Sequence, residues 1–113
     1  MSFGERLTAL RKARGLNQRA FAELAGVHLS QIRRYESDSA QPALDIIRRL
    51  AVVLSVSADT LVFADDERGP QEDRLRLIFE AVERCTPEEQ ATVREVLEAL
   101  VLRYQARQWD TGR

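Results

Sequence analysis

The chain has 113 residues, of which 44% are hydrophobic and 31% charged, enough for one small globular domain or for a domain of about 60 residues with an appendage. No segment approaches the roughly 18 consecutive apolar residues of a membrane span, and the N-terminal segment lacks the apolar region of a secretory signal, so neither is expected. Cys85 is the single cysteine, which excludes an internal disulfide and favours a reducing cytoplasm.

The net charge of −1 conceals an uneven distribution along the chain. Residues 1–63 hold nine Lys/Arg against six Asp/Glu, and residues 64–113 hold eight against twelve, so the two parts carry +3 and −4. A basic front part favours contact with DNA, and an acidic rear part favours contact with protein.

Five short helices and no strand are predicted in the first 63 residues. Apolar periodicity and helix-breaking residues indicate helices over 3–14, 18–25, 28–37, 43–54 and 57–63. Gly15 and Gly26 are expected to end the first two helices, and Asn17 is a good N-cap for the second. Pro42 closes a polar loop before the fourth helix.

The second and third helices form the most informative segment, Asn17 to Glu36. Their apolar residues are expected to join the two helices into one core: Phe21, Ala22, Leu24, Ala25, Val27 and Ile32. The fourth helix is expected to add one apolar face: Leu44, Ile47, Leu50, Ala51 and Leu54. The third helix is short, polar and basic. A supporting helix, a glycine turn and a polar second helix are the parts of a helix-turn-helix, whose second helix enters the DNA major groove.

The remaining fifty residues divide into a linker, a helical pair and a frayed tail, at 64–71, 72–108 and 109–113. Thr86 is expected to cap the last helix, because Pro87 suits a first turn and Glu89 completes a capping box. The whole chain is therefore predicted to be all-α, a five-helix domain followed by a C-terminal helical hairpin.

The hairpin carries more apolar surface than its two helices can bury against each other. We expect the surplus apolar surface to form the interface of a two-fold homodimer. The alternative is that it packs against the front domain. The predicted interface residues are Leu75, Ile78, Phe79, Val82, Val93, Leu97, Leu100, Val101 and Tyr104. Cys85 lies on the same stripe and is expected to be a buried small hydrophobe rather than a nucleophile.

The front part also matches a known sequence pattern over about half of the chain. The matching residues are Leu7, Leu10, Arg11, Gly15, Leu16, Asn17, Gln18, Phe21, Ala22, Leu24, Ala25, Gly26, Val27, Ser30, Ile32, Tyr35, Glu36, Pro42, Leu50, Ala51, Leu54, Val56 and Leu61. With these residues at these spacings, residues 3–63 resemble the Xre-type, phage-repressor-like helix-turn-helix domain. The resemblance implies a five-helix, lambda-repressor-like fold, usually dimeric, that represses or activates transcription from palindromic operators.

The resemblance also implies roles for individual residues. Base contacts are expected from Leu29, Ser30 and Arg34, with Leu29 limited to a thymine methyl group or a sugar. Phosphate contacts, which fix register without reading sequence, are expected from Gln18, His28 and Arg33. Arg11 and Glu36 match a partly buried pair that ties the first helix to the end of the recognition helix.

One departure from the family pattern concerns the loop after the recognition helix. Many family members have a glycine and basic residues there, whereas this chain has Ser37, Asp38 and Ser39. Because Asp38 would repel phosphates, either the loop turns away from the DNA or the affinity for DNA is modest. The family implies nothing about the C-terminal helical pair.

These observations predict a non-enzymatic transcriptional regulator, most simply a repressor, that binds double-stranded DNA as a homodimer on an inverted repeat. No cofactor and no metal site are expected, because the single His28 has no cysteine or carboxylate cluster near it. The expected location is the cytoplasm of a bacterium, at the nucleoid, with a phage origin possible. Two alternatives stay open: an antitoxin whose rear segment grips a toxin partner, and a protein-contact module that has lost DNA binding.

Overall fold

The computed structural model describes residues 1–111, which form seven α-helices and no strand. In chain order the helices are α1 (Phe3–Ala13), α2 (Gln18–Ala25), α3 (Leu29–Glu36), α4 (Leu44–Leu54), α5 (Ala58–Val62), α6 (Asp73–Glu83) and α7 (Pro87–Thr111). The all-α prediction is thus confirmed. The chain divides into two compact units, Met1–Arg68 and Gly69–Arg113, and the division falls inside the predicted linker 64–71.

The helix ends follow from the residues that cap them. The Asn17 side chain accepts the Ala20 N–H at 2.8 Å, which satisfies one of the free donors at the start of α2. Gly26 ends α2 in the left-handed conformation, with φ of +67°, so that α3 can start three residues later. The predicted capping box is present, because Glu89 accepts the Thr86 N–H at 2.8 Å and Thr86 accepts the Glu89 N–H at 3.2 Å.

The first unit has one apolar core to which all five of its helices contribute. Its fully or nearly fully buried side chains are Leu7, Phe21, Ala22, Ala25, Ile32, Tyr35, Leu50, Ala51, Leu54 and Leu61. Leu16, which directly precedes the N-cap of α2, is half-buried and packs against this core. Because α1 and α2 both pack against α3, and α4 packs against α2, the core holds α3 in a fixed orientation.

Two residues that the sequence placed in the core lie in solvent instead. Leu24 is 63% exposed, because α2 turns only the arc through Phe21, Ala22 and Ala25 inward and Leu24 lies about 100° away from the middle of that arc. Leu44 is 70% exposed, because it is the first residue of α4 and precedes the turn at which the helix meets the core. Both predictions were wrong in detail, although their helices were placed correctly.

Gly4 allows α1 to approach the end of α3 closely. A Cβ atom at this position would lie 2.7 Å from the Glu36 carbonyl carbon and 2.8 Å from the Tyr35 carbonyl oxygen. These are backbone atoms, which cannot move aside as a flexible side chain would. Gly4 therefore sets the distance at which α1 and α3 pack.

The second unit contains α6 and α7, and it lacks a core of its own. None of the residues 69–110 is fully buried, and the nine predicted interface residues are half-buried or exposed. The Gln90 side chain joins the two helices by donating to the carbonyl oxygens of Val82 and Glu83, both at 3.1 Å. Cys85 is only half-buried, contrary to its predicted full burial, because it lies at the turn between the helices.

The last helix is longer than expected. It continues to Thr111, past the predicted end at residue 108, since no proline or glycine interrupts it after Pro87. The rest of the predicted frayed tail, residues 112–113, lies outside the described residues. No helix within residues 1–111 combines the length and the hydropathy needed to cross a membrane.

We predict that Gly4→Ala destabilises the protein by about 2 kcal/mol, because the added methyl group forces α1 away from α3 and this cost exceeds the gain in helix propensity. Urea unfolding of the full chain measures the change. Ala9→Ser, which adds one atom at an exposed site of the same helix, is the control and should cost only about 0.5 kcal/mol. A Gly4→Ala protein as stable as the wild type would show that the close packing of α1 on α3 is not required.

Candidate nucleic-acid interface

The Glu36 carboxylate is the polar centre on which α1, α2 and α3 converge. Glu36 Oε2 accepts from Arg11 Nε at 2.7 Å, and Glu36 Oε1 accepts from Arg11 Nη2, Thr8 Oγ1 and Gln18 Nε2, each at 3.1 Å. The side chains of Arg11 and Glu36 are only 10% and 6% exposed. Arg11 also donates to the Leu16 carbonyl oxygen at 2.8 Å, so it reaches the turn before α2 as well. The ion pair expected from the resemblance is therefore present and belongs to a larger network.

The same network controls the ionisation of Glu36. Burial alone would raise the pKa of Glu36, but hydrogen bonds from Arg11, Gln18 and Thr8, together with the charge of Arg11, outweigh it and hold the pKa below its ordinary value. Glu36 is thus ionised at neutral pH, and its charge is balanced by Arg11. The end of α3 is fixed without leaving a net negative charge at the base of the recognition helix.

Asp38 turns its carboxylate towards the start of α1. It adopts the left-handed conformation, with φ of +60°, and accepts from the Ser2 hydroxyl at 2.6 Å and from the Gly4 N–H at 2.9 Å. The hydrogen bond from Ser2, followed by that from Gly4, lowers the pKa of Asp38. Asp38 is exposed, but both of its carboxylate oxygens are engaged by groups at the start of α1.

The outer face of α3 carries the polar side chains that the sequence singled out. His28 precedes the helix as its N-cap residue, and Ser30, Arg33 and Arg34 follow on the helix, all with exposed side chains. Among residues 1–111, none of these four side chains has a hydrogen-bond or ion-pair partner. This surface therefore offers two guanidinium groups, a hydroxyl and an imidazole to a ligand.

Two predicted contact residues are partly engaged within the protein. Leu29 is half-buried and packs against the core, so it has less free surface for a base than Ser30 or Arg34. Gln18 uses one hydrogen of its side-chain amide for Glu36, which leaves the second hydrogen and its own backbone N–H at the first turn of α2 available.

Sequence reasoning missed several residues that hold this surface in place. Thr8 and Gly4 escaped notice because each interacts with a residue about thirty positions away in the chain. Arg6 donates to the carbonyl oxygens of Leu61 and Val62, at 3.1 and 3.0 Å, and thereby joins α1 to the end of α5. A local sequence signal was available only for the start of α1, where Ser2 acts as the N-cap by accepting the N–H of Glu5.

Comparison with known proteins agrees with this architecture. The family model described as helix-turn-helix matches residues 7–61. The cryptic phage CTXphi transcriptional repressor RstR of Vibrio cholerae is 33% identical over 106 residues, which cover 92% of this chain and 91% of that protein. The N-terminal DNA-binding domain of SinR from Bacillus subtilis is 30% identical with a TM-score of 0.54, and the match covers 57% of this chain and 96% of that domain.

A complex of SinR protein with SinI protein matches the fold over more of the chain, with a TM-score of 0.55 over 92% of this chain and 99% of that one, at 24% identity. The chain belongs to the helix-turn-helix family of the Xre type. It is a DNA-binding transcriptional regulator, and the family and its relatives are regulators rather than enzymes. Residues 1–111 contain no group of three or more side chains placed to hold a metal ion.

We predict that acid destabilises the protein partly through Glu36. Because the folded-state pKa of Glu36 is lowered, the stability it contributes is complete above its unfolded pKa of about 4.3 and is lost as the pH falls through the folded value. Glu36→Gln should cost about 3 kcal/mol at pH 7, since Arg11 loses its ionic partner, and should weaken the pH dependence of stability below about pH 5.

Urea unfolding at several pH values tests this prediction. A smaller slope should remain in Glu36→Gln, because the pKa values of Asp38 and Glu89 are also lowered by hydrogen bonds. Glu23→Gln, at an exposed position on α2, is the matched control and should keep the wild-type profile. An unchanged pH profile in Glu36→Gln would contradict the assignment of acid sensitivity to this carboxylate.

Proposed function

We propose that the protein is a repressor that acts as a homodimer on an inverted-repeat operator in bacterial or phage DNA. The observation that carries this proposal is the outer face of α3, where Ser30, Arg33 and Arg34 project from a helix fixed at its far end by Glu36. A rigid helix with unpaired donors on its outer side suits the major groove, which admits one α-helix. Two such helices about 34 Å apart would enter successive major grooves on one face of the duplex.

Base reading is assigned to Ser30 and Arg34, with a minor apolar contribution from Leu29. The Arg34 guanidinium can donate two hydrogen bonds to guanine O6 and N7, which is worth about 1–3 kcal/mol of discrimination against other bases. Ser30 can donate to or accept from a base edge. Leu29 can contact a thymine methyl group with the part of its side chain that the core leaves uncovered.

Phosphate contacts are assigned to Gln18, His28 and Arg33. Gln18 suits this role because the second hydrogen of its amide and the free N–H at the start of α2 can meet one phosphate together. The bond to Glu36 orients the Gln18 side chain before DNA arrives, so less conformational entropy is lost on binding. His28 and Arg33 flank the base-reading residues and can fix the register of the helix.

The hairpin of α6 and α7 is proposed as the dimer interface. Its apolar side chains are half-buried or exposed in the single chain, and a soluble monomer rarely leaves so large an apolar surface uncovered. A second copy would cover this surface, and the nine interface residues predicted from the sequence are those that contribute to it. The acidic charge of residues 64–113 keeps this part from competing for phosphates.

The exposed hairpin also favours one alternative, in which a different protein covers the same surface. The SinR–SinI complex is a case in which a protein of similar fold assembles with another protein. An antitoxin that grips a toxin through residues 72–108 would use its hairpin in the same way. The oligomeric state of the purified chain separates the two possibilities.

We predict that Arg34→Ala relaxes base preference at one position in each half-site, while Gln18→Ala weakens binding to all sequences by nearly the same factor. Affinities for a set of single-base operator variants measure both effects. Arg48→Ala, which removes the same charge from an exposed site on α4, is the control and should leave the preference unchanged. If Arg34→Ala weakens every variant equally, Arg34 does not read a base.

We predict that Val101→Asp converts the dimer into a monomer, because it places a charge in an interface that must exclude water. Val101 is 50% exposed in the single chain and lies outside the first unit, so the substitution should leave the DNA-binding unit folded. Sedimentation equilibrium measures the mass, and Val52→Asp, at a 77% exposed valine of the first unit, is the control. A wild-type monomer would favour the hetero-partner alternative, and a dimeric Val101→Asp protein would exclude this surface as the interface.

A further inference from the structure

The end of the DNA-binding unit is held to that unit at several points. The carbonyl oxygens of Leu61 and Val62, at the end of α5, accept from the Arg6 guanidinium of α1 at 3.1 and 3.0 Å. These bonds satisfy two of the carbonyl groups left free at the end of the short helix. The chain therefore leaves α5 at a fixed point and in a fixed direction.

The residues that follow α5 fold back onto it rather than extending away. Residues 63–68 form this exit turn, in which the Ala64 N–H donates to Glu67 Oε1 at 2.9 Å and the Glu67 N–H donates to the Ala64 carbonyl oxygen at 3.0 Å. The turn is closed by Arg68. Its guanidinium lies 4.8 Å from the centre of the Phe63 ring and donates to Asp59 Oδ1 at 2.9 Å.

The exit turn shortens the connection to the second unit. The sequence predicted a linker of eight residues, 64–71, but residues 64–68 belong to the first unit, and Glu72 already caps α6 by accepting the N–H groups of Arg74 and Leu75, both at 3.0 Å. Only residues 69–71 remain between the two. Three residues can span about 10 Å when extended, whereas eight can span about 27 Å.

We propose that Arg68 determines how far apart the two half-sites of the operator can lie. This inference rests on the proposed dimer, in which each DNA-binding unit is joined to the dimer interface by one such connection. A three-residue connection restricts the separations and rotations that the two α3 helices can adopt. Release of Arg68 detaches the exit turn from α5 and lengthens each connection by up to five residues. A longer connection tolerates more geometries, at a lower effective concentration for each one.

The test is the affinity of the full chain for operators whose half-site spacing is changed by one or two base pairs. One base pair rotates a half-site by about 34°, so the wild type should bind altered spacings much more weakly than the optimal one. Arg68→Ala should reduce this penalty, because it removes the ion pair and the cation–π contact that close the exit turn. The reduction should be only about fivefold, since each of these exposed contacts is weak.

Three further variants test whether the closed exit turn, rather than the positive charge of Arg68 alone, sets the spacing preference. Asp59→Asn leaves the charge of Arg68 in place and removes its partner, so it should reduce the spacing penalty in the same direction, and Arg68→Lys should retain most of the penalty. Arg76→Ala is the matched control, because it removes the same charge from an exposed ion pair with Asp73 in the second unit. It should keep the wild-type spacing profile.

The other possible results separate failure of this inference from failure of the proposed dimer. An Arg68→Ala protein that keeps the full wild-type spacing preference overturns this inference and leaves the proposed dimer standing. Equal weakening at every spacing overturns it as well, because Arg68 would then act as a phosphate contact. A wild type without any spacing preference overturns the dimer on an inverted repeat, and this inference with it.

Discussion

The geometry of the DNA-binding unit depends on one buried carboxylate. Glu36 is the last residue of α3, and it gathers donors from the middle of α1 and from the start of α2. Moving a charge pair out of water is costly, so the pair adds little net stability compared with apolar residues of the same size. Removing one partner destabilises the protein much more, because a buried charge left unpaired costs about 3–5 kcal/mol. The network therefore acts as a constraint on orientation.

That constraint explains the different roles of polar groups around α3. Polar groups at its C-terminal end, including Asp38 in the following loop, are paired with groups of the first unit. Polar groups on its outer face are exposed and unpaired within residues 1–111. The unit thus uses its internal hydrogen bonds to hold the helix, and it leaves the donors of Arg33 and Arg34 for the ligand.

The two units meet the need for apolar burial in different ways. The first unit closes a core around Phe21, Ile32 and Leu50, which are fully buried. The second is a hairpin whose helices leave most of their apolar side chains half-buried or exposed. Such a hairpin has no stable core alone, so its stability should depend on a partner and hence on concentration. Assembly and operator binding are thereby coupled in the proposed dimer.

Much of the fold could be predicted from local signals. The caps at Asn17 and Thr86 and the turn at Gly26 were predicted correctly, because each depends on residues within four positions of one another. Leu24 and Leu44 were misplaced, because an apolar residue near the edge of a helix face has no local signal for its exposure.

The positions of Gly4, Thr8 and Asp38 could not be predicted, since their contacts join residues about thirty positions apart. The resemblance supplied the ion pair of Arg11 and Glu36, which spacing alone could not have identified. Neither the local sequence signals nor the family resemblance indicated that the first five residues of the predicted linker fold onto α5. That property arises from contacts of Arg68 with Phe63 and Asp59, which become neighbours only when the exit turn forms.

The central claim is that the outer face of α3, fixed by Glu36, meets the base edges. The most direct measurement is an NMR titration of the full chain with a duplex selected from a random pool, following backbone amides and arginine side-chain N–H groups. The largest shifts should fall on Ser30, Arg33 and Arg34, with the Arg11–Glu36 ion pair unchanged. Shifts that leave α3 untouched, or that show Arg34 still exposed to solvent in the complex, would contradict the account.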